Sequence, residues 1–297
     1  MRVTVTGASG LIGRRLSARL EQAGHIVHAL GRRPKAGIGS EFSVWDPEKS
    51  IPPMAAIEGA DAVIHLAGEP VAQRWSADVK RRIRSSRVDG TRHLVEAIRQ
   101  AVRKPSVLVS ASAVGYYGDR GAETLEEPSG PGNGFLPEVC VEWEREALTA
   151  RSLGVRVALT RIGLVLAAEG GALEKMLPAF KMGVGGRMGS GEQYMSWIHV
   201  DDLVSLLVWA VEDRAARGPY NATAPNPVNN ADFTVALARA LRRPAILPVP
   251  AFAAKLLFGE MAEILFHSQR AIPRAALQQG FVFRHPEVFG ALSAVLT

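Results

Sequence analysis

The chain has 297 residues, of which 47% are hydrophobic and 22% charged. That length is enough for one large domain or two modest ones, and the composition is that of a globular protein with a full core, which excludes a disordered chain. Its net charge is +6, but the basic residues are scattered along the chain. This pattern favours a solvated basic surface over a nucleic-acid site.

The chain has one cysteine, Cys140, so it can form neither an internal disulfide nor a multi-thiolate metal site. This cysteine content fits a reducing compartment. The first residues, MRVTVTG, read directly as a strand, without the charged and apolar regions of a signal peptide. No apolar run approaches the ~20 residues of a membrane-spanning helix. We therefore expect a cytoplasmic protein with no membrane or nucleic-acid partner.

Short apolar strands alternate with amphipathic helices through the first half of the chain. The strand-like runs are RVTVT, HIVHAL, SVW, DAVIHLAG, SVLVSAS and VRVALTRIG. This alternation predicts an α/β domain with a doubly wound parallel sheet, and the continuous apolar runs fit strands buried on both faces. We place this domain at residues 1–168, and a smaller C-terminal α/β cap at 169–297, with some cap segments returning to the sheet.

A glycine-rich turn, TGASGLIG, joins the first strand to the first helix. Gly7 permits the tight turn, Gly10 allows close approach of a diphosphate, and Gly13 allows the helix to pack on the strand. The phosphates would lie at the positive end of the helix dipole. This pattern predicts a Rossmann-type dinucleotide site whose loop includes Ser9, Leu11 and Ile12.

The end of the second strand distinguishes NADP(H) from NAD(H). An NAD-binding domain usually carries an acidic residue there for the adenosine ribose, whereas this chain has Arg32 and Arg33. Two guanidinium groups can pair with a 2′-phosphate, so the sequence favours NADP(H). The alternative is a pair of surface arginines.

The strand DAVIHLAG ends in small residues that leave room for the cofactor. Leu66, Ala67 and Gly68 are therefore assigned to the cofactor site, and Arg161, after the strand VRVALT, is added to it. His65 lies within the apolar run, where a buried, hydrogen-bonded core histidine is commoner than a catalyst.

Several ordered motifs resemble the extended short-chain dehydrogenase/reductase superfamily. TGxxGxxG, DxVIHLAG, SRVDGT at 86–91 and SVLVSAS followed by YYG occur in its usual order. The resemblance is closer to its atypical branch, labelled "epimerase family protein". That branch shares the segments at 65–70, 110–118, 135–140, 170–173, 196–199, 224–228 and 259–261.

The resemblance implies a Ser, Tyr and Lys that orient the substrate and transfer a proton. In this chain Leu136 stands where the Tyr should be and Cys140 where the Lys should be, so the YxxxK dyad is absent. Ser112 matches the active-site Ser, and Tyr116 and Tyr117 are left as candidate proton donors or as structural residues. Cys140 is either a nucleophile or, more commonly, a buried small hydrophobe.

Polar residues of the second half are candidates to line the substrate cleft, although each also has a plain structural interpretation. They are Gln193, Trp197, His199 and Asn221. The spacing of His and carboxylate residues shows no metal motif, so we expect no metal site. Superfamily members often dimerise, so the resemblance implies that this chain can form a homodimer.

Two functions fit these observations. The first is an NADP(H)-dependent, epimerase-like oxidoreductase acting on a small carbonyl or hydroxyl substrate. The second is a non-catalytic NADP(H)-binding regulator. Epimerisation needs an efficient base, so the missing dyad counts more against epimerisation than against simple reduction. Leu136 and Cys140 favour the regulator modestly.

Overall fold

The computed structural model describes residues 1–34, 37–245, 247–250, 252, 256 and 259–296. Its strands are β1 (Arg2–Thr6), β2 (Ile26–Gly31), β3 (Glu41–Val44), β4 (Ala62–His65), β5 (Val107–Ala113), β6 (Thr124–Leu125), β7 (Arg156–Ile162), β8 (Leu164–Leu166), β9 (Tyr194–Met195), β10 (Trp197–His199), β11 (Gly218–Ala222), β12 (Val228–Asn229) and β13 (Arg270–Ala271). Its helices are α1 (Leu11–Gln22), α2 (Ala77–Gln100), α3 (Phe135–Leu148), α4 (Gly171–Lys181), α5 (Val200–Glu212), α6 (Asn230–Leu241), α7 (Ala262–Phe266), α8 (Arg274–Gln278) and α9 (Val288–Leu296).

Seven of these strands form one parallel sheet in the order β3-β2-β1-β4-β5-β7-β11. Both faces are covered, because the apolar side chains of α1 and α5 belong to one core cluster and those of α2 and α3 to a second. Four of the five residues of β1 are buried, as strands covered on both faces require. The predicted doubly wound Rossmann-type sheet is confirmed.

Segments beyond residue 168 divide between the sheet and a smaller layer. Strand β11 is an edge strand of the parallel sheet, and α5 packs on its face. Helices α4, α6 and α9 surround a third core that contains Trp197, Phe233 and Leu292. Two-stranded pairings of β8 with β10, β9 with β12 and β6 with β13 join these helices to the sheet's carboxyl edge. Among the described helices, none has the length and apolar character that a membrane crossing requires.

His65 is fully buried at the end of β4, between two threonines. Thr6 Oγ1 accepts hydrogen bonds from the backbone N–H groups of Leu66 and Ala67, so its single proton goes to Nδ1 of His65, 2.7 Å away. The other ring nitrogen, Nε2, then donates to Thr91 Oγ1 at 3.0 Å. Burial lowers the pKa of His65 to about 3, with the nearby Arg87 adding to the effect. His65 is thus a neutral, hydrogen-bonded core residue.

This burial makes folding stability sensitive to acid. The unfolded chain protonates His65 near pH 6.5, whereas the folded chain does so only near pH 3. The contribution of neutral His65 to the free energy of unfolding is therefore fully present above about pH 6.5. It is lost as the pH falls toward 3, and the free energy of unfolding then changes by up to ~1.4 kcal/mol per pH unit. Urea unfolding of the wild type and His65→Asn between pH 7.5 and 4.5 measures it. The variant should show the shallower slope, and equal slopes would contradict this assignment.

Candidate functional site

The turn between β1 and α1 is packed so closely that only glycine fits at two positions. Gly7 has φ +65, and a Cβ there would lie 2.8 Å from the carbonyl carbon of Leu66. A Cβ on Gly13 would lie 2.3 Å from the carbonyl oxygen of Gly7. A Cβ on Gly10 would meet only that same oxygen, at 3.2 Å. Gly7 and Gly13 hold α1 against β1 and β4, whereas Gly10 faces the open side of the turn.

The start of α1 carries no neutralising side chain. Its N-cap is Gly10, no side chain caps the first turn, and the first turn contains no acidic residue. The N–H groups at a helix N-terminus and the helix dipole both favour an anion. Two cavities, of about 220 Å³ and about 330 Å³, border this turn. Gly7, Gly10 and Leu66 line both, so the open helix end stands in the middle of a cleft.

The first cavity has a basic side chain at one end. Arg32 lines it together with Gly31, Ser9 and, from the carboxyl edge of β3, Trp45 and Glu48. Trp45 and Glu48 are not among the predicted cofactor residues. Both follow the carboxyl end of β3, and ligands of open α/β sheets bind at the carboxyl ends of the strands, so this position could have indicated them. Arg32 is mostly exposed.

Glu69 lies near the guanidinium of Arg32, with Arg32 Nη1 and Glu69 Oε2 3.9 Å apart. Arg33 is exposed and is not among the residues that line the cavity. Thus Arg32 is placed to face a ligand in the first cavity, and Arg33 stands next to it on the surface. Their pairing with a 2′-phosphate remains a prediction.

The residues after β4 form the wall of both cavities. Leu66 lines both of them, and Ala67 and Gly68 line the first. The backbone of Leu66 and Ala67 is held by Thr6 Oγ1, which accepts from each N–H at 3.1 Å. Leu11, Ile12 and Gly13 line the second cavity, opposite Gly163 and Val165 of the segment after β7. The predicted loop and wall residues are therefore brought together along one cleft.

A buried ion pair occupies the carboxyl ends of β5 and β7. Arg161 donates from Nε and Nη2 to the two carboxylate oxygens of Glu144, at 2.8 and 2.9 Å. Ser112 Oγ donates to the same carboxylate at 2.6 Å. Arg161, Glu144 and Ser112 are 3%, 7% and 2% exposed. Both charges are therefore satisfied within the protein, as burial requires.

Arg161 was expected at the cofactor, and its contacts do not support that expectation. Its remaining Nη1 donates to the hydroxyl of Tyr117 and to the carbonyl of Glu127, both at 3.0 Å. Its described donors are thus directed at protein acceptors. We correct its role to that of a structural cation. Glu144 was missed because it follows the dyad positions on α3 and no local pattern links it to Arg161.

The same contacts change the interpretation of two predicted catalytic residues. The Ser112 hydroxyl donates its only proton to the carboxylate of Glu144, so it has no proton left to donate to a substrate oxygen. Tyr117 is fully buried, and its hydroxyl accepts from Arg161 and lies 2.7 Å from Oδ1 of Asn221. Burial raises the pKa of Tyr117, against the lowering effect of Arg161. The geometry favours the structural alternative for both.

Tyr116 differs from these two residues. Its ring is half-buried and lies flat against the guanidinium of Arg161, with Cζ 3.5 Å from the ring centroid. Edge contact with Tyr117, 5.3 Å between centroids, fixes the second side of the ring. Within the described part of the chain, no hydrogen bond is made by its hydroxyl. Tyr116 therefore keeps a free phenolic group beside the carboxyl end of β5.

The residues expected to line the substrate cleft are largely committed to protein contacts. Asn221 is fully buried and donates to the carbonyls of Leu125 and Ile272. Trp197 is fully buried and donates from its indole to the carbonyl of Asn226. Gln193 donates to the carbonyls of Met188 and Leu265. These contacts favour the structural alternative for these three side chains.

His199 caps α5 and is not among the residues that line either cavity beside the glycine turn. Its Nδ1 accepts from the N–H of Asp201 at 3.1 Å, and its ring stacks on His285 at 3.8 Å between centroids. Ligand atoms of His199, Asp201 and His285 lie within 4.8 Å of one another. However, the Nδ1 lone pair of His199 is taken by the N–H of Asp201, and the Asp201 carboxylate lies 3.5 Å from Arg15 Nη1. We assign no metal to this cluster.

Cys140 is buried on α3, 4% exposed, with its Sγ 3.9 Å from the carbonyl of Ala113. Burial raises the pKa of its thiol to about 12, and the carboxylate of Glu144 adds to the rise. A thiol with that pKa is neutral at physiological pH and is a poor nucleophile. The alternative of a buried small hydrophobe is the one that the geometry supports.

Comparison with known proteins agrees with this arrangement. The model of the NAD dependent epimerase/dehydratase family matches residues 3–223, and a domain of unknown function, DUF1731, matches residues 249–295. The epimerase family protein SDR39U1 homolog, chloroplastic, of Arabidopsis thaliana is 43% identical over all of this chain and 87% of its own length. The epimerase family protein YfhF of Bacillus subtilis is 36% identical over all of this chain and 98% of its own.

Solved structures give the same result. The human epimerase family protein SDR39U1, crystallised with NADPH, superposes with a TM-score of 0.90 at 33% identity and covers 99% of both chains. UDP-glucuronic acid 4-epimerase of Bacillus cereus, in complex with UDP-glucuronic acid and NAD, shares the fold with a TM-score of 0.79 at 16% identity, covering 99% of this chain and 97% of its own. The chain therefore belongs to the NAD dependent epimerase/dehydratase family, in the branch of the epimerase family proteins related to SDR39U1.

Proposed function

We propose that this protein binds NADP(H) in the cleft at the carboxyl edge of its sheet and uses it to reduce a small carbonyl compound in the cytoplasm. The main support for a bound cofactor is the N-terminus of α1, which no side chain caps and which borders two cavities. Arg32 lines the first of these cavities. A dinucleotide diphosphate fits an open helix end, and a guanidinium fits a 2′-phosphate. The human relative crystallised with NADPH supports this choice over NAD(H).

When bound, NADPH supplies a hydride. The chain's part is to position the substrate and to deliver a proton to the oxygen that the reduction leaves negative. Tyr116 is the candidate donor, because Ser112 and Tyr117 direct their hydroxyl protons to protein acceptors. The guanidinium of Arg161 lies against the ring of Tyr116, 3.5 Å from its centroid, and so helps to hold the phenol in place. The absent Tyr and Lys of the YxxxK dyad favour reduction over epimerisation, which needs an efficient base in both directions.

A second candidate is a regulator that binds NADP(H) without turning over. It is favoured by the closed network of Ser112, Glu144, Arg161 and Tyr117, in which Ser112, the match to the superfamily's active-site Ser, is bound within the protein. Incubation with NADPH and a panel of aldehydes and ketones, followed at 340 nm, separates the two. Consumption of NADPH supports the reductase, and tight binding without consumption supports the regulator.

Cofactor selectivity should depend on Arg32. Arg32→Ala removes a charge-assisted pair with the 2′-phosphate, which is worth ~1.5–3 kcal/mol, so the Kd of NADPH should rise roughly 10- to 100-fold. NADH, which lacks that phosphate, should keep its Kd within about twofold. Arg33→Ala should have a smaller effect in the same direction, because Arg33 does not line the cavity. Calorimetric titration measures all of these constants.

A matched control for charge is Arg214→Ala, which removes one exposed arginine after α5 and should change neither Kd. If Arg32→Ala weakens NADPH and NADH equally, Arg32 does not hold the 2′-phosphate.

Proton delivery should depend on Tyr116. General acid catalysis contributes roughly 10²- to 10⁴-fold, so Tyr116→Phe should lower kcat by at least about 100-fold and leave the Kd of NADPH unchanged. Tyr194→Phe, a half-buried tyrosine whose ring contacts Arg270, is the control and should keep full turnover. Unchanged kcat in Tyr116→Phe would rule out this phenol as the donor.

A further inference from the structure

A third cavity, of about 250 Å³, lies between α1, α5 and the segment that follows α8. Three of the residues that line it are arginines: Arg15 and Arg19, one turn apart on α1, and Arg284 of the segment after α8. Its described lining residues all differ from those that line the two cavities beside the glycine turn. This cavity is therefore separate from the proposed cofactor cleft.

The third cavity carries more positive than negative charge. Asp201 is the carboxylate among its described lining residues, and Oδ1 of Asp201 lies 3.5 Å from Nη1 of Arg15. Among the residues that the structure describes, none accepts a hydrogen bond from the guanidinium of Arg19 or Arg284 or forms an ion pair with it. Three guanidinium groups and one carboxylate thus leave a surplus of two positive charges. Such like charges repel one another unless an anion lies between them.

The segment that carries Arg284 is held in a fixed position. The buried carboxylate of Asp202 accepts from the backbone N–H groups of Arg284 and His285, both at 2.9 Å. The ring of Phe283 is buried in the core cluster that also contains apolar side chains of α1 and α5. The backbone that carries Arg284 is therefore fixed relative to both helices. A ligand can bind in the cavity without a rearrangement of the chain, which lowers the entropic cost of binding.

The other lining residues suit a ligand that has both polar and apolar parts. Ser205 on α5 has a hydroxyl group and Gln22 on α1 has a side-chain amide, so each offers hydrogen bonds to a polar ligand. Ala18 and Val204 add apolar surface to the same cavity. The arginines can bind an anionic group, and these four residues can contact the carbon chain and hydroxyl groups attached to it.

We propose that the third cavity binds a small phosphate monoester through Arg15, Arg19 and Arg284. At pH 7 the monoester carries about −1.5 to −2 charges, which matches the surplus positive charge of the cavity. Its terminal oxygens accept hydrogen bonds, and guanidinium groups donate to such oxygens in pairs. The carboxylate of Asp201 lies beside the bound phosphate and weakens its binding by repulsion. This site goes beyond the proposed function, because it uses no residue of the cofactor cleft.

Glycerol 3-phosphate is the probe, because it is a small monoester without the nucleotide parts of a cofactor. Calorimetric titration of the full chain should show saturable binding. Arg19→Gln combined with Arg284→Gln should raise the Kd roughly 10- to 100-fold, because two charge-assisted contacts are lost. Asp201→Asn should lower the Kd roughly two- to fivefold, because it removes a repelling charge. Loss of folding cannot explain such a gain in affinity.

Arg214→Gln combined with Arg243→Gln is the matched control, since it removes two exposed arginines that do not line the third cavity. It should keep the wild-type Kd of glycerol 3-phosphate. Arg32→Ala, which changes the first cavity, should also keep it. Inorganic phosphate lacks the carbon chain and succinate lacks the phosphate, so both should bind more weakly than glycerol 3-phosphate.

Four results would overturn the proposal. The first two are no saturable binding by the wild type and an equal loss of affinity in the Arg214 and Arg243 control. An equal loss in Arg32→Ala would move the binding to the cofactor cleft. Inorganic phosphate or succinate binding as tightly as glycerol 3-phosphate would exclude a phosphate monoester as the ligand. Titration with NADPH tests the proposed function separately, so the two failures are distinguishable.

Discussion

The cleft depends on the close packing of two glycines of the first turn, Gly7 and Gly13, at the end of β4, where no side chain would fit. Gly7 touches the backbone of Leu66, and Gly13 touches Gly7, so the N-terminus of α1 is fixed at the carboxyl edge of the sheet with nothing covering it. The wall opposite is held by a second set of contacts, in which neutral His65 orients Thr6 and Thr6 binds the backbone of Leu66 and Ala67. A buried core histidine therefore helps to shape a ligand site that it does not touch.

The carboxyl ends of β5 and β7 are organised around one buried ion pair. Arg161 and Glu144 form an ion pair, and the Ser112 hydroxyl donates to Glu144. Arg161 also donates to the hydroxyl of Tyr117. Such a network ties β5, β7 and α3 to one another and uses the hydroxyl protons of Ser112 and Tyr117 within the protein. Among the described residues at this end of the sheet, the network leaves the phenol of Tyr116 without a hydrogen bond, with its ring against Arg161.

The sequence predicted what depends on local patterns. Runs of β-branched residues placed the strands of the parallel sheet, and the spacing of Gly7, Gly10 and Gly13 placed the open helix end. Roles that depend on tertiary contacts were harder. Arg161 was assigned to the cofactor because it follows a strand, but Glu144, which binds it, lies on a helix 17 residues earlier. Asn221 and Trp197 have polar atoms that suit a ligand, and only packing shows that backbone carbonyls accept from them.

In the proposed complex, the N–H groups that open α1 hold the diphosphate of the cofactor. Hydrogen exchange of the full chain with and without saturating NADPH tests it most directly, because an amide that donates to a bound phosphate exchanges more slowly. We expect strong protection of the segment 7–13, with smaller protection of 66–68 on the facing wall. Binding of NADPH with no slowing of exchange in 7–13 would contradict it.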